Sequence, residues 1–144
     1  MNREIKYRGK CIAAGELKDK WVYGDLIKNK DKYYIHPHSQ LIEVSKHYGR
    51  LVVLHEVDPE TVGQYTGLKD RNGVDIYEGD VVKVDDGKYT GVVKFNHEDL
   101  SYVIEDKTGG YGFVNGKTYD EWPEYLTYEV IGNIYEQEVQ EDVR

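Results

Sequence analysis

Apolar and polar residues alternate along much of this chain, and the alternation marks strands. Residues 21–27 carry Trp21, Val22, Tyr23, Leu26 and Ile27, and residues 32–36 carry Tyr33, Tyr34 and Ile35. The polar run Lys28-Asn29-Lys30-Asp31 joins these two stretches as a turn. Ahead of them, residues 4–11 alternate weakly and lead into a loop at Ala14-Gly15-Glu16. The pattern is irregular from 37 to 49, and residues 51–57 then read as a buried strand. Asp58-Pro59-Glu60-Thr61 has the form of a helix start. An aspartate accepts hydrogen bonds from the free N–H groups of a first turn, and proline suits the first helical position. Gly63 and Gly67 hold that helix to a turn or two.

The second half is more regular. Asn72-Gly73 is the signal of a two-residue hairpin, with Ile76 and Tyr77 on the returning strand. Residues 81–84, the turn Asp85-Asp86-Gly87-Lys88 and residues 89–95 predict a second hairpin. A turn over 96–99 precedes a strand at 101–105, and Thr108-Gly109-Gly110-Tyr111-Gly112 reads as a flexible loop. Residues 120–126 predict one helical turn limited by Pro123, and residues 128–135 a closing strand. No apolar stripe at helical spacing lasts beyond about two turns.

The choice of apolar residues points the same way. Val and Ile together number 26 against 8 Leu, and Tyr occurs 14 times. Branched and aromatic side chains lose rotamer freedom in a helix but pack well on a pleated surface. The expected fold is therefore mainly β: an N-terminal β-meander packed with a small C-terminal SH3-like β-barrel, with few short helical turns. The expected divisions are a β-rich region over 1–57, a short helix or connector over 58–70, the barrel over 71–136 and an acidic tail over 137–144. A length of 144 residues suits one domain or two very small ones.

Charge and cysteine content narrow the function classes. The net charge of −8, from 19 basic and 27 acidic residues, argues against bulk phosphate binding. A single cysteine, Cys11, excludes an internal disulfide framework and a multi-cysteine zinc site, and fits a reduced compartment. The opening Met1-Asn2-Arg3-Glu4 leads into no apolar stretch, and the longest apolar run, residues 51–54, is far short of the roughly 20 residues that cross a bilayer. The expectation is a soluble cytoplasmic protein with no membrane partner.

Catalytic signatures are sparse. His36-Pro37-His38 has the spacing that puts two side chains on one face of a strand, and His47, His55 or Glu43 could supply a third metal ligand. Pro37 between them favours an edge or loop, and the competing reading is a solvated turn. There is no Gly-x-Ser-x-Gly elbow, no complete Gly-x-x-x-x-Gly-Lys-Ser/Thr phosphate loop and no dinucleotide fingerprint. Cys11 follows Lys10 but lies in a predicted strand, which suits a small core residue. Tyr89, Tyr102 and Tyr111, with Lys83, Lys88, Lys94 and Lys107, could form a base-stacking platform, although acidic residues sit among those lysines.

One passage is distinctive: Val57-Asp58-Pro59-Glu60-Thr61-Val62-Gly63-Gln64-Tyr65-Thr66-Gly67-Leu68-Lys69-Asp70, continuing through Asn72-Gly73 to Ile76-Tyr77-Glu78-Gly79-Asp80-Val81-Val82. It strongly resembles the YopX family of phage and prophage proteins. The opening Arg3-Glu4-Ile5-Lys6-Tyr7-Arg8-Gly9-Lys10, the run Trp21-Val22-Tyr23-Gly24-Asp25-Leu26 and the closing Tyr128-Glu129-Val130-Ile131-Gly132-Asn133-Ile134-Tyr135-Glu136 extend the resemblance over nearly the whole chain. It implies a phage-encoded, β-rich, self-associating protein and assigns no activity to particular residues. Within the passage, the glycines suit tight turns, and Asp80 is placed to accept from turn N–H groups. Gln64, Tyr65 and Thr66 are its candidates for an exposed recognition surface, since nothing periodic buries them.

The expected function is a non-catalytic protein-interaction module, self-associating through strand edges or a tyrosine-rich face, with a host or phage protein as a further partner. No cofactor, metal or catalytic residue is assigned. Candidate contact residues are Gln64, Tyr65, Thr66, Tyr102 and Tyr111. The alternatives are single-stranded nucleic-acid binding through an aromatic face of the barrel, which the acidic balance disfavours, and a metal-assisted hydrolase around His36 and His38.

Overall fold

The computed structural model describes residues 4–38, 43–45, 49–51, 53–84, 87, 89–98, 100–106, 109–112 and 128–136, with only the backbone for 43–45, 49–51, 89, 106 and 109–112. The chain forms two compact units, Met1–Gln64 and Tyr65–Arg144. Both are built from antiparallel strands, and the helical content of the described residues is 3₁₀ only, the turn Pro59–Thr61 and the single position Gly87. None of the described helical segments is long and apolar enough to cross a membrane.

In the first unit, β1 (Tyr7–Lys10), β2 (Trp21–Asn29) and β3 (Lys32–Pro37) run side by side, a small pair β4 (Glu43–Ser45) and β5 (Gly49–Leu51) follows, and β6 (His55–Val57) lies against β3. The first two residues of β7 (Gly63–Lys69) pair with β1, Gln64 opposite Tyr7 and Gly63 opposite Arg8. The predicted turn between β2 and β3 is tighter than its polar run: Asn29 pairs with Lys32, and Lys30 takes a φ of 58°. Alternation then sorts the faces. Val22, Ile35 and Val57 join Cys11 in a buried cluster, with Tyr7, Leu26, Tyr33 and Val62 packed around it. Gly9 belongs to this face because a Cβ there would lie 2.8 Å from the Val57 Cβ.

Two backbone bonds tie the end of β1 to the end of β6: the Ile12 N–H donates to the Glu56 carbonyl and the Asp58 N–H to the Lys10 carbonyl, each at 2.9 Å. The predicted helix start is the 3₁₀ turn Pro59–Thr61, in which the Asp58 carboxylate accepts from the Glu60 N–H at 3.0 Å. The Thr61 hydroxyl donates to the Asp58 carbonyl and accepts from the Lys10 N–H, fastening the turn to β1.

In the second unit, the rest of β7 forms a hairpin with β8 (Asp75–Tyr77). The remaining strands, β9 (Asp80–Val84), β10 (Tyr89–Asn96), β11 (Ser101–Asp106), β12 (Gly109–Gly112) and β13 (Tyr128–Asn133), form a five-stranded sheet in the order β12-β11-β10-β9-β13. Val82, Val84, Val93, Tyr102, Ile104 and Tyr128 pack with Ile76 on one face, and Val81 and Val92 pack with Ile134 on the other.

Three expectations change here. The SH3-like barrel expected over 71–136 is not seen closed: among the described residues no ladder joins β12 to β13. The glycine-rich segment read as a loop is strand β12, held by backbone pairing to β11, which requires no side-chain pattern. The Asn72-Gly73 hairpin has a three-residue loop, not a two-residue one. The Asp70 N–H donates to the Val74 carbonyl, the Gly73 N–H donates to the Asp70 carbonyl, and Gly73 sits at φ 81°. This is the geometry of a type I turn followed by a left-handed residue. The turns expected around Asp85-Asp86 and Glu98-Asp99 are described only in part, and the helical turn over 120–126 and the tail over 137–144 lie outside the described residues.

Candidate functional site

On β2, the core-facing Val22, Gly24 and Leu26 alternate with Tyr23 and Asp25 on the opposite face. Register places Asp25 directly across from His36, and the pleat brings His38 to the same side two residues on. One Asp25 carboxylate oxygen lies 2.7 Å from His38 Nε2, and the other lies 3.8 Å from His36 Nδ1. The first contact is a hydrogen bond when Nε2 carries the proton. That bond holds the Asp25 carboxyl below its ordinary pKa; burial opposes the shift, and the charges of His38 and His36 add to it. Asp25 and His38 are substantially exposed, whereas His36 is largely buried and its Nε2 has no hydrogen-bond partner among the described residues. Pro37, between the histidines, is buried and lies opposite Gly24 on β2. A Cβ on Gly24 would overlap the His36 carbonyl oxygen, so only glycine lets the two strands approach here.

Beside this cluster lies an open cleft of about 440 Å³. Its apolar lining is Leu17, Val22, Tyr23 and Pro37, and its polar lining includes His38, His55 and the ion pair between Lys6 Nζ and a Glu4 carboxylate oxygen at 2.9 Å. Ile5, between those two charged residues in the chain, is 63 % exposed. The cleft therefore combines an apolar interior with both signs of charge. Among the described residues, no three His, Cys, Asp or Glu side chains are placed to hold a metal ion. Of the third ligands considered for His36 and His38, His55 lines the cleft, while the side chains of Glu43 and His47 lie outside the description. Cys11 is fully buried in the core of its unit, as expected of a small core residue.

The residues singled out for exposure are mostly interior. Tyr65 and Thr66 are each 5 % exposed: the Tyr65 ring tilts against Tyr77 at 5.6 Å, and the Thr66 hydroxyl donates to the Ile76 carbonyl and accepts from the Leu68 N–H. They pair with β8 in a hairpin that covers them, which period-two reading across the glycines Gly63 and Gly67 does not reveal. Gln64 is half-buried. Tyr102 is also 5 % exposed and packs edge-on against Phe95 at 5.2 Å in the core, so it offers no ring face for a stacked base. Tyr111 lies on β12 opposite Ile104, and its side chain, like that of Tyr89, is outside the description.

The distinctive central passage organises backbone. Asp80, 1 % exposed, accepts from the Tyr77 N–H at 2.8 Å, the turn role expected of it. Asp70 was not anticipated. One of its carboxylate oxygens accepts from the Asn72 and Val74 N–H groups, and the other from the Val130 N–H on β13. Asp25 was missed as well; its signal is a carboxylate one register step across a hairpin from a histidine, readable only once the turn at Lys30 is fixed.

These features define a two-unit antiparallel β protein with a small mixed cleft on its first unit. The YopX protein family model matches residues 6–139, and the chain belongs to the YopX family. Comparison with curated proteins finds no match.

Proposed function

We propose that this protein is a non-catalytic protein-interaction module of phage or prophage origin, acting in the bacterial cytoplasm and self-associating through the cleft face of its first unit. The observation that carries the reading is the cleft itself: Leu17, Val22, Tyr23 and Pro37 beside the ion pair Glu4–Lys6 and the hydrogen-bonded pair Asp25–His38. A twofold interface uses the same patch twice, so the patch must match itself. A surface carrying both signs of charge around apolar area meets that condition, and a strongly single-signed surface does not. Leu17 and Tyr23 are 38 % and 47 % exposed, which leaves apolar area to cover. A host or phage protein would meet the same face in competition with the second copy.

Light scattering over a concentration series tests this reading. The wild type should exceed the monomer mass, and Leu17→Asp and Tyr23→Asp should each restore it while leaving the far-ultraviolet spectrum unchanged. A monomer mass for the wild type at every concentration would remove self-association, and capture of a defined phage or host protein, lost in both variants, would then be required of the cleft.

A further inference from the structure

The outer edge of β13 is already occupied. β13 pairs with β9 on one side. On the other side, the Arg71 N–H donates to the Tyr128 carbonyl at 2.9 Å, and the Val130 N–H donates to the Asp70 carboxylate at 3.0 Å. Those positions are where the N–H and C=O groups of a neighbouring antiparallel strand would lie. The loop between β7 and β8 thus imitates a strand with one backbone donor and one carboxylate acceptor, and its turn is held by the same aspartate through the Asn72 and Val74 N–H groups.

We propose that this loop is a strap that keeps β13 from pairing with the β13 of a second copy. A bare sheet edge is a template for further strands, and proteins block such edges in several ways. The occupant is a second copy because the released edge offers an acceptor at Tyr128 and a donor at Val130. An identical strand running antiparallel presents the same two groups in reverse order, so each donor meets an acceptor about a twofold axis. The strap belongs to the second unit and stands independently of the cleft in the first.

Two variants open the strap by different routes. Asp70→Asn keeps an acceptor oxygen for Asn72 and Val74 but turns an NH₂ donor toward the Val130 N–H. Arg71→Pro removes the donor to Tyr128 while placing proline at the second position of the Asp70-to-Gly73 turn, where it is favoured. The measurements are amide exchange at Val130 and mass by light scattering, each against the wild type at equal concentration. The expected result is at least tenfold faster Val130 exchange in Asp70→Asn at a dilution where both proteins have the same mass, and a higher mass in both variants at higher concentration, where pairing of the copies protects Val130 again. Adding Val130→Pro, which removes the edge donor without touching the ladder to β9, should return the mass to the wild-type value. Unchanged Val130 exchange and mass in both variants would overturn the proposal, as would a raised mass that Val130→Pro leaves in place. Leu17→Asp should not lower the extra mass, which separates this result from the fate of the cleft.

Discussion

Gly24→Ala places one methyl group where the structure has no room for it. The new Cβ would overlap the His36 carbonyl oxygen and lie 2.8 Å from the His36 carbonyl carbon and 2.9 Å from the Pro37 Cα. All three atoms are backbone, so no rotamer change relieves the contact, and β2 and β3 must separate. Overpacking a tight site costs about 1–3 kcal/mol where side chains can shift. Here the ladder itself must yield, and the pairs Gly24↔Pro37 and Asp25↔His36 are the nearest to be lost. Two ladder hydrogen bonds at about 1 kcal/mol each raise the expected loss to about 3–5 kcal/mol. That is a large part of the 5–15 kcal/mol typical of a folded domain. Urea unfolding followed by tryptophan emission reads the loss, since Trp21 begins the same strand. Gly73→Ala is the control: it meets nothing within 4 Å, and its φ of 81° alone carries a penalty of about 1 kcal/mol. Equal losses in the two variants, or a Gly24→Ala loss under about 1 kcal/mol, would refute the clash argument.

Other outcomes follow from the same geometry. Because His38 holds the folded Asp25 carboxyl below its unfolded value near 4, its contribution to stability is present above that value and fades as the pH falls through the lower folded value. Asp25→Asn should therefore lower stability slightly at neutral pH, the pair being mostly exposed, and flatten the acid limb of a stability–pH profile, the two proteins converging as the pH falls. Carbon-13 carboxyl titration of the wild type should find Asp25 among the more acidic side chains. Tyr102→Ala should lower the stability of the second unit by about 3–5 kcal/mol, the range for emptying an aromatic core position. A labelled oligonucleotide should report no Tyr102-specific loss of binding beyond unfolding; selective loss of binding by a fully folded Tyr102→Ala protein would contradict its place in the core.

The local features of this fold were readable residue by residue. Alternation located β2 and β3, Asp58-Pro59 located the 3₁₀ turn, and Gly79-Asp80 placed a carboxylate at a turn. Features that depend on register were not readable. Tyrosine suits both faces of a strand, so Tyr65 and Tyr102 could be placed inside only once their partner strands were known. β12 is held through its backbone, and its Gly109-Gly110-Tyr111-Gly112 sequence looks like a loop because pairing needs no side chains. Barrel closure is a pairing between the first and last strands of a sheet, and no local pattern specifies it. The Asp25–His36–His38 cluster lay between these cases: the histidine spacing was visible in the sequence, but the carboxylate between them came from the facing strand.

The bond between Asp70 and Val130 spans 60 residues of chain. Contacts at such separation bear the full entropy of closing a long loop, whereas the β2–β3 hairpin closes across two residues. On this ordering the latch engages last, after β9 and β13 have met. A chain still emerging from the ribosome or recovering from heat thus passes through an interval in which β13 is formed but unguarded. Its yield on refolding should fall with protein concentration more steeply than the stability of the finished molecule would suggest, and the steepness is set by how quickly a single aspartate finds a single amide.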